Sequence, residues 1–274
     1  MSKRSTFDKI SKDFYPTIVR DGIISGKHIA VWFSCGAASA VAAKLTLDKW
    51  GSSNKVSIIN NPIKEEHEDN QRFLKDVEVW LNHPITFATH PDYPDQSCVD
   101  VWDDRKYMSG VAGAPCTMIL KKQARQEWEK VNKPDYTVLG FTAEETGRAN
   151  RFKTAERESL LTPLIDLGYT KQDCFDTLVS AGIRLPHVYY EGMPNANCIG
   201  CVKASSITYW NLVKEKFPEV FEDRAEQSRR IGAKLAYYKG SRIFLDEIPE
   251  GAKGRPMKDY DFECGIFCEE KPDE

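Results

Sequence analysis

No apolar run in this 274-residue chain approaches the ~20 residues that a membrane-spanning helix requires, so the sequence excludes a transmembrane helix. The opening stretch, MSKRSTFDKISKDFY, has no apolar core of the kind that drives secretion, and the reading is a cytoplasmic protein. A strong charge of either sign is also missing. Lys and Arg number 38 against 41 Asp and Glu, a formal charge of −3, which argues against a broad nucleic-acid-binding surface but leaves room for a local basic patch. The five histidines show no metal-ligand spacing, and His67 and His83 read as surface positions. The aromatics form no stacking platform, and no repeat or low-complexity block appears. What remains is 41% hydrophobic and 29% charged, enough for one large globular domain or one domain with an appendage. Nothing in the composition excludes a homo-oligomer.

The eight cysteines stand out against these absences. In a reducing compartment, clustered cysteines point to metal, iron–sulfur or redox chemistry more than to disulfides. Cys198-Ile199-Gly200-Cys201 is a CxxC whose Gly200 permits the turn that aims both thiols the same way. Cys264 and Cys268 form a second close pair in the tail, and two such pairs are a zinc or iron–sulfur signal. Cys116 directly follows a Gly-Ala-Pro turn at a helix start, where a thiolate is favoured. Cys98 and Cys174 read as packing residues, because lone cysteines usually behave as small hydrophobes.

Periodicity predicts strands at 28–33, 55–59, 85–88 and 135–141, and helices at 39–50, 67–81, 97–108, 116–131 and 170–181. The 116–131 helix is basic and amphipathic. Residues 142–157 read as a polar loop, and 160–165, interrupted by Pro163, as a strand end or edge segment. Two further helices are expected near 205–216 and 221–237. The alternation β-α-β-α-β favours α/β: a doubly wound, mostly parallel sheet with a Cys-containing helical C-terminal appendage. The domain reading is a lead-in over 1–27, a nucleotide-binding α/β domain over 28–186, and an appendage and tail over 187–274.

The first strand runs into Ser34-Cys35-Gly36-Ala37-Ala38-Ser39 and then directly into a helix. Residues this small let backbone N–H groups approach a ligand closely, and the helix N-terminus adds partial positive charge. Together they suit a phosphate or sulfate, although an ordinary βα turn has the same pattern. Two basic sets could add counter-charge: Lys121, Lys122 and Arg125 on one helix, and Arg148, Arg151 and Lys153 after the fourth strand. A solvated surface, or pairing with Glu144 and Glu145, accounts for them equally.

Several of these stretches occur in the order found in one family. Phe33 to Ser39 resembles a phosphate loop of SGGxDS type. Ala114-Pro115-Cys116-Thr117 with Leu120-Lys121 is similar to a Cys-Thr/Ser…Leu-Lys motif. Leu139-Gly140-Phe141 with Glu144, Glu145 and Arg148 resembles a Gly-x-Arg-x-x-Glu-Ser-x-Arg segment. Thr162 to Ile165, Lys171 to Asp173, Asn197 to Cys201 and Glu263-Cys264-Gly265-Ile266 also correspond. Over about residues 28–268 the chain resembles phosphoadenosine-phosphosulfate (PAPS) reductases and their relatives in the adenine nucleotide alpha-hydrolase-like superfamily.

The resemblance implies an adenine nucleotide or sulfonucleotide bound by Ser34 to Ser39, Asn60, Lys121, Gly140, Arg148 and Arg151, with Ile59 to Asn61 and Glu65-Glu66 alongside. It further implies Cys264 as the nucleophile on the sulfate sulfur and a thioredoxin-like protein as reductant. The departures are specific. Ala38 stands where ATP pyrophosphatases carry Asp, and Ala37 where Lys is common, so no loop side chain can hold magnesium or neutralise phosphate. Phe267 replaces a His of the reductase tail, and Cys268 follows it. Two alternatives therefore stand beside sulfonucleotide reduction. One is an ATP-dependent sulfur-inserting or nucleobase-modifying enzyme with a [4Fe-4S] cluster on Cys116, Cys198 and Cys201, completed by Cys268 or Cys264. The other is a non-catalytic nucleotide-binding module with structural zinc on the same thiols.

Overall fold

The structure, a computed structural model, describes residues 24–110 and 113–256. Cys264 and Cys268, the expected nucleophile and the expected tail ligand, lie outside the described residues, as does most of the lead-in. No described helix is long and apolar enough to cross a membrane.

Five parallel strands form the sheet: β1 (His28–Trp32), β2 (Lys55–Asn60), β3 (Ile85–Phe87), β4 (Tyr136–Val138) and β5 (Leu160–Leu161), in the order β3-β2-β1-β4-β5. β1 is central and buried along its whole length. Its alternate residues face opposite ways, so each face needs a helical cover. Ile29, Val31 and Phe33 join a core with helices α1 (Ala37–Trp50), α2 (Asp69–Leu81) and residues 164–185. Ala30 and Trp32 join a second core with Phe141, Ala149 and Phe152 on the other face. The expected doubly wound α/β arrangement is what the chain adopts. The order in which strands are added reverses between the parallel neighbours β1 and β4, and in such sheets ligands bind at that crevice, outside the strand carboxyl ends.

Helix α3 covers Cys98–Arg105. The basic helix expected from 116 opens as a π-helical segment, Thr117–Gln123, before becoming helix α4, Ala124–Asn132. Residues 142–157 depart from the expected loop. A capping box between Thr142 and Glu145 starts a 3-10 turn that runs into helix α5, Thr146–Ala155, and Arg148 donates to Glu145 at 2.7 Å. Capping and i,i+3 pairing substitute for an apolar stripe that the sequence lacks. Beyond β5 the backbone turns into a short helix α6, Pro163–Asp166, with Pro163 in its first turn, rather than continuing as an edge. Helix α7 spans Lys171–Ser180, and Thr170 caps it as expected. Cys174 on this helix is fully buried in the first core, and burial pushes its thiol up to about 12, in keeping with a packing role.

A short helix α8 (His187–Tyr190) begins the C-terminal region, followed by α9 (Ile207–Lys216) and α10 (Pro218–Ile231). α10 stops short of the expected end at 237, because Gly232 takes the left-handed conformation (φ 83°). An antiparallel hairpin follows, β6 (Ala236–Tyr238) and β7 (Ser241–Ile243). This region shares one core with an earlier stretch: Ile63, Cys98, Trp102, Met108 and Leu120 pack with Val188, Cys198, Trp210 and Leu245. The junction into it is latched. Arg72 grips Asp69 with two 2.7 Å hydrogen bonds and donates to the carbonyls of Arg184 and Leu185, while Asp69 also accepts the His187 N–H at 2.8 Å.

Candidate functional site

The loop after β1 is built tightly. Cys35 adopts a left-handed φ of 56°, and the chain then enters α1 with Gly36 as an extended N-cap. Ser39 Oγ donates to the Gly36 carbonyl at 2.9 Å and accepts from the Ser34 N–H at 3.1 Å, folding Ser34 to Ser39 back on itself. No side chain caps α1, and its first-turn N–H groups have no intrahelical acceptors. Ala37 N–H meets the Tyr189 hydroxyl at 3.4 Å, so the C-terminal region reaches the mouth of the loop.

Gly140, after β4, closes the other side. A Cβ there would lie 2.7 Å from the Ser39 nitrogen and 2.9 Å from the Ala38 carbonyl carbon, so only glycine lets the two loops pack. Cys35 contributes backbone alone. Its side chain is buried, Asn60 Nδ2 donates to it at 3.5 Å, and burial together with the charge of Glu66 holds the thiol well above its usual range. Asn60 also donates to the Phe33 carbonyl at 2.8 Å, joining β2 to the loop. Arg148 lies over the Phe141 ring and pairs with Glu145, while Arg151 on the same helix is exposed.

Behind the loop sits a buried ion pair, Lys121 Nζ to Glu66 Oε1 at 3.7 Å, with both side chains under a tenth exposed. Lys121 lies on the π-helical segment, an irregularity often found at functional sites. Burial raises the Glu66 carboxyl above its usual range, opposed by the Lys121 charge and the Asn70 amide.

Lys121 also acts electrostatically on Cys116, and there the thiols gather. Cys98 lies within hydrogen-bonding reach of both Cys116 and Cys198. All four of Cys98, Cys116, Cys198 and Cys201 are buried in the same core. The hydrogen bond with Cys98, the Trp102 indole and the charges of Lys121 and Lys203 lower the Cys116 thiol against its burial. Cys98 is raised by its bonds to Cys116 and Cys198 and by burial. The packing role expected for Cys98 is therefore incomplete, since its sulfur meets other sulfurs. A lone cysteine far from the CxxC gave no sequence signal of this.

Two segments are fastened here by Glu65. Its carboxylate accepts the Cys98 N–H at 2.8 Å and the Ser97 hydroxyl at 2.9 Å, starting α3. Its backbone carbonyl accepts the Ile199 N–H, inside the CxxC, at 2.9 Å. Gly200 holds a φ of 68°, and the Cys201 N–H donates to the buried Tyr209 hydroxyl at 2.8 Å.

Among the described residues no group of three or more His, Cys, Asp or Glu side chains is arranged to hold a metal ion. The surroundings of the thiols nonetheless suit a sulfur-ligated centre. The Trp102 indole N–H and the Arg224 Nε–H are both buried without an aligned acceptor. Trp102 faces Cys116, and the Arg224 guanidinium, 4.6 Å from the Trp102 ring centroid, lies in the field of Cys98 and Cys198. Buried donors without acceptors, beside clustered thiols, match the N–H groups that surround thiolate-bound clusters.

No protein-family model matches the chain, and no curated protein matches its sequence. Among solved structures, the chain is similar to the U34-tRNA thiolase NcsA from Methanococcus maripaludis with its [4Fe-4S] cluster. The TM-score is 0.45 at 11% identity, over 91% of this chain and 86% of that one.

Proposed function

We propose that this chain is an adenine-nucleotide-dependent enzyme of sulfur chemistry that carries an iron–sulfur cluster, and that its reaction is sulfur insertion into an activated nucleobase. The observation that carries this reading is Lys121: one buried ammonium serves both the crevice, through Glu66 and Cys35, and the thiol group, through Cys116. A nucleotide in the crevice and a metal centre on the thiols would share that charge.

Cys116, Cys198 and Cys201 would hold the cluster, which when bound supplies a redox-active, negatively charged centre beside the nucleotide crevice. The chain's own residues bind and orient. Backbone N–H groups of Ser34 to Ser39 would take phosphate oxygens, Gly140 lets the ligand-bearing loops close, and Arg148 and Arg151 supply positive charge at the rim. The nucleobase oxygen would attack the α-phosphorus of ATP, releasing pyrophosphate, and a sulfur nucleophile from an external donor would then displace AMP. Lys121 would offset negative charge as pyrophosphate departs, a part that Ala37 and Ala38 cannot take.

Sulfonucleotide reduction is the second reading, and that same pair of alanines favours it, because it needs no ATP cleavage. There the Cys264 sulfur attacks the sulfate sulfur and expels the nucleotide, and a thioredoxin-like dithiol releases sulfite from the S-sulfocysteine. Anaerobic purification with metal analysis and visible spectroscopy tests the cluster; one zinc and no iron per chain removes it. Pyrophosphate release from ATP that depends on an RNA acceptor supports insertion. Sulfite release from PAPS or adenylyl sulfate with thioredoxin, lost in Cys264→Ser, supports reduction instead.

A further inference from the structure

The sequence pattern supplies three ligands within the described residues and leaves the fourth to the tail, but the fold brings in a different residue. We propose that Cys98 is the fourth thiolate of the metal site, with Arg224 and Trp102 donating N–H to its sulfurs. The proposal rests on the reading that these thiols hold metal.

Three independent features meet at Cys98. Its sulfur reaches Cys116 and Cys198, which come from two other segments of the chain, whereas a packing cysteine such as Cys174 meets apolar neighbours. Its backbone is fixed: Glu65 binds the Cys98 and Val99 N–H groups at 2.8 and 3.3 Å, and the same residue's carbonyl holds the CxxC through Ile199. Glu65 thereby sets the spacing between Cys98 and Cys198.

Charge is the third feature. Arg224 is 3% exposed, and among the described residues its direct hydrogen-bond partner is the neutral Gln227 amide, which in turn donates to the Val99 carbonyl at 3.1 Å. The charge nearest in effect is the Glu65 carboxylate, followed by Cys98 and Cys198, and a guanidinium this buried gains from each added negative group. Four thiolates on iron or zinc supply a net negative centre, and the open Nε–H of Arg224 and Nε1–H of Trp102 are placed to bond its sulfurs. Four protein thiolates also leave no open metal position, so the centre would be closed to exogenous ligands.

The test compares the full-length wild type with Cys98→Ser, Cys116→Ser and Cys174→Ser after anaerobic reconstitution with iron and sulfide, and separately with zinc. The expected result is that Cys98→Ser, like Cys116→Ser, falls below half the wild-type metal content, or keeps iron and gains a spectral response to added small thiols. Cys174→Ser stays at wild-type content. Wild-type content with a thiol-inert spectrum in Cys98→Ser overturns the proposal while leaving the metal reading intact; a wild type that binds neither metal overturns both. A second pair of variants covers a failure of Cys98→Ser to fold. In Arg224→Gln and Trp102→Phe, loss of N–H donation is expected to shift the reduced-to-oxidised ratio of the centre about tenfold toward oxidised at a fixed potential, about 59 mV for one electron. An unchanged potential in both variants counts against the donor assignment.

Discussion

Lys121 Nζ stands 3.7 Å from Glu66 Oε1, both buried, between the loop that follows β1 and the gathered thiols. Removing one member of such a pair strands the other charge. Lys121→Met is expected to destabilise the fold by about 3 kcal/mol in urea unfolding, and the double variant with Glu66→Gln to recover most of that. The pH dependence has a definite sign. Burial, the leading cause, raises the folded-state Glu66 above its ordinary 4.5, so this group's contribution is most favourable below that value and is lost as pH rises through the folded pKa. Without Lys121 the loss deepens. A Lys121→Met protein whose stability does not fall as pH rises from 4 to 8 contradicts this account.

Asp69 behaves oppositely. Its hydrogen bonds from Arg72, the leading cause, lower it from 3.8 to about 2. The stabilisation is complete above 3.8 and is lost as pH falls through about 2. After discounting for solvent screening it is worth roughly 1 kcal/mol. Asp69→Asn should remove that acid-sensitive component and speed amide exchange at Arg184, Leu185 and His187, which Arg72 and Asp69 latch. Unaltered exchange there means the latch is decorative.

Gly140→Ala places a methyl against the Ser39 and Ala38 backbone, and backbone cannot swing aside as a side chain can. About 1–3 kcal/mol of strain is expected. Because the contact lies at the crevice, ATP affinity by calorimetry should fall about tenfold or more even in folded protein. Equal affinity places the nucleotide elsewhere.

Gly200→Ala meets two obstacles, a φ of 68° and a Val220 methyl 2.9 Å from the new Cβ. Val220→Ala relieves only the second. The double variant should thus regain part of the stability lost by the single one, while metal retention stays reduced because the CxxC turn is still strained. Full recovery of metal assigns the effect to crowding alone.

Much of this arrangement was legible in the residues. The run from His28 to Phe33, the small loop and the alanine-rich helix after it announce a buried strand, a close-approach turn and a packed helix, each by local chemistry. The CxxC is equally local. Helix α5 was not legible, because its start depends on Thr142 and Glu145 capping each other and its face carries few apolar residues. Cys98 was hidden for another reason: its partners lie in separate segments, which the shared core and Glu65, binding both Cys98 and Ile199, make neighbours. Arg224 and Trp102 look like an ordinary surface cation and core aromatic until burial leaves their donors without acceptors.

The bond from Ile199 N–H to the Glu65 carbonyl also orders events in time. During synthesis, Glu65, Cys98 and Cys116 leave the ribosome long before the CxxC exists, and the first sheet strands can pair without it. Until Ile199 arrives and docks, two of the thiols wait on an unfinished surface, open to oxidants and to stray metal. The last third of the chain thus acts as the closing step of assembly, and any delay in its folding would be felt first as damaged cysteine rather than as a misfolded sheet.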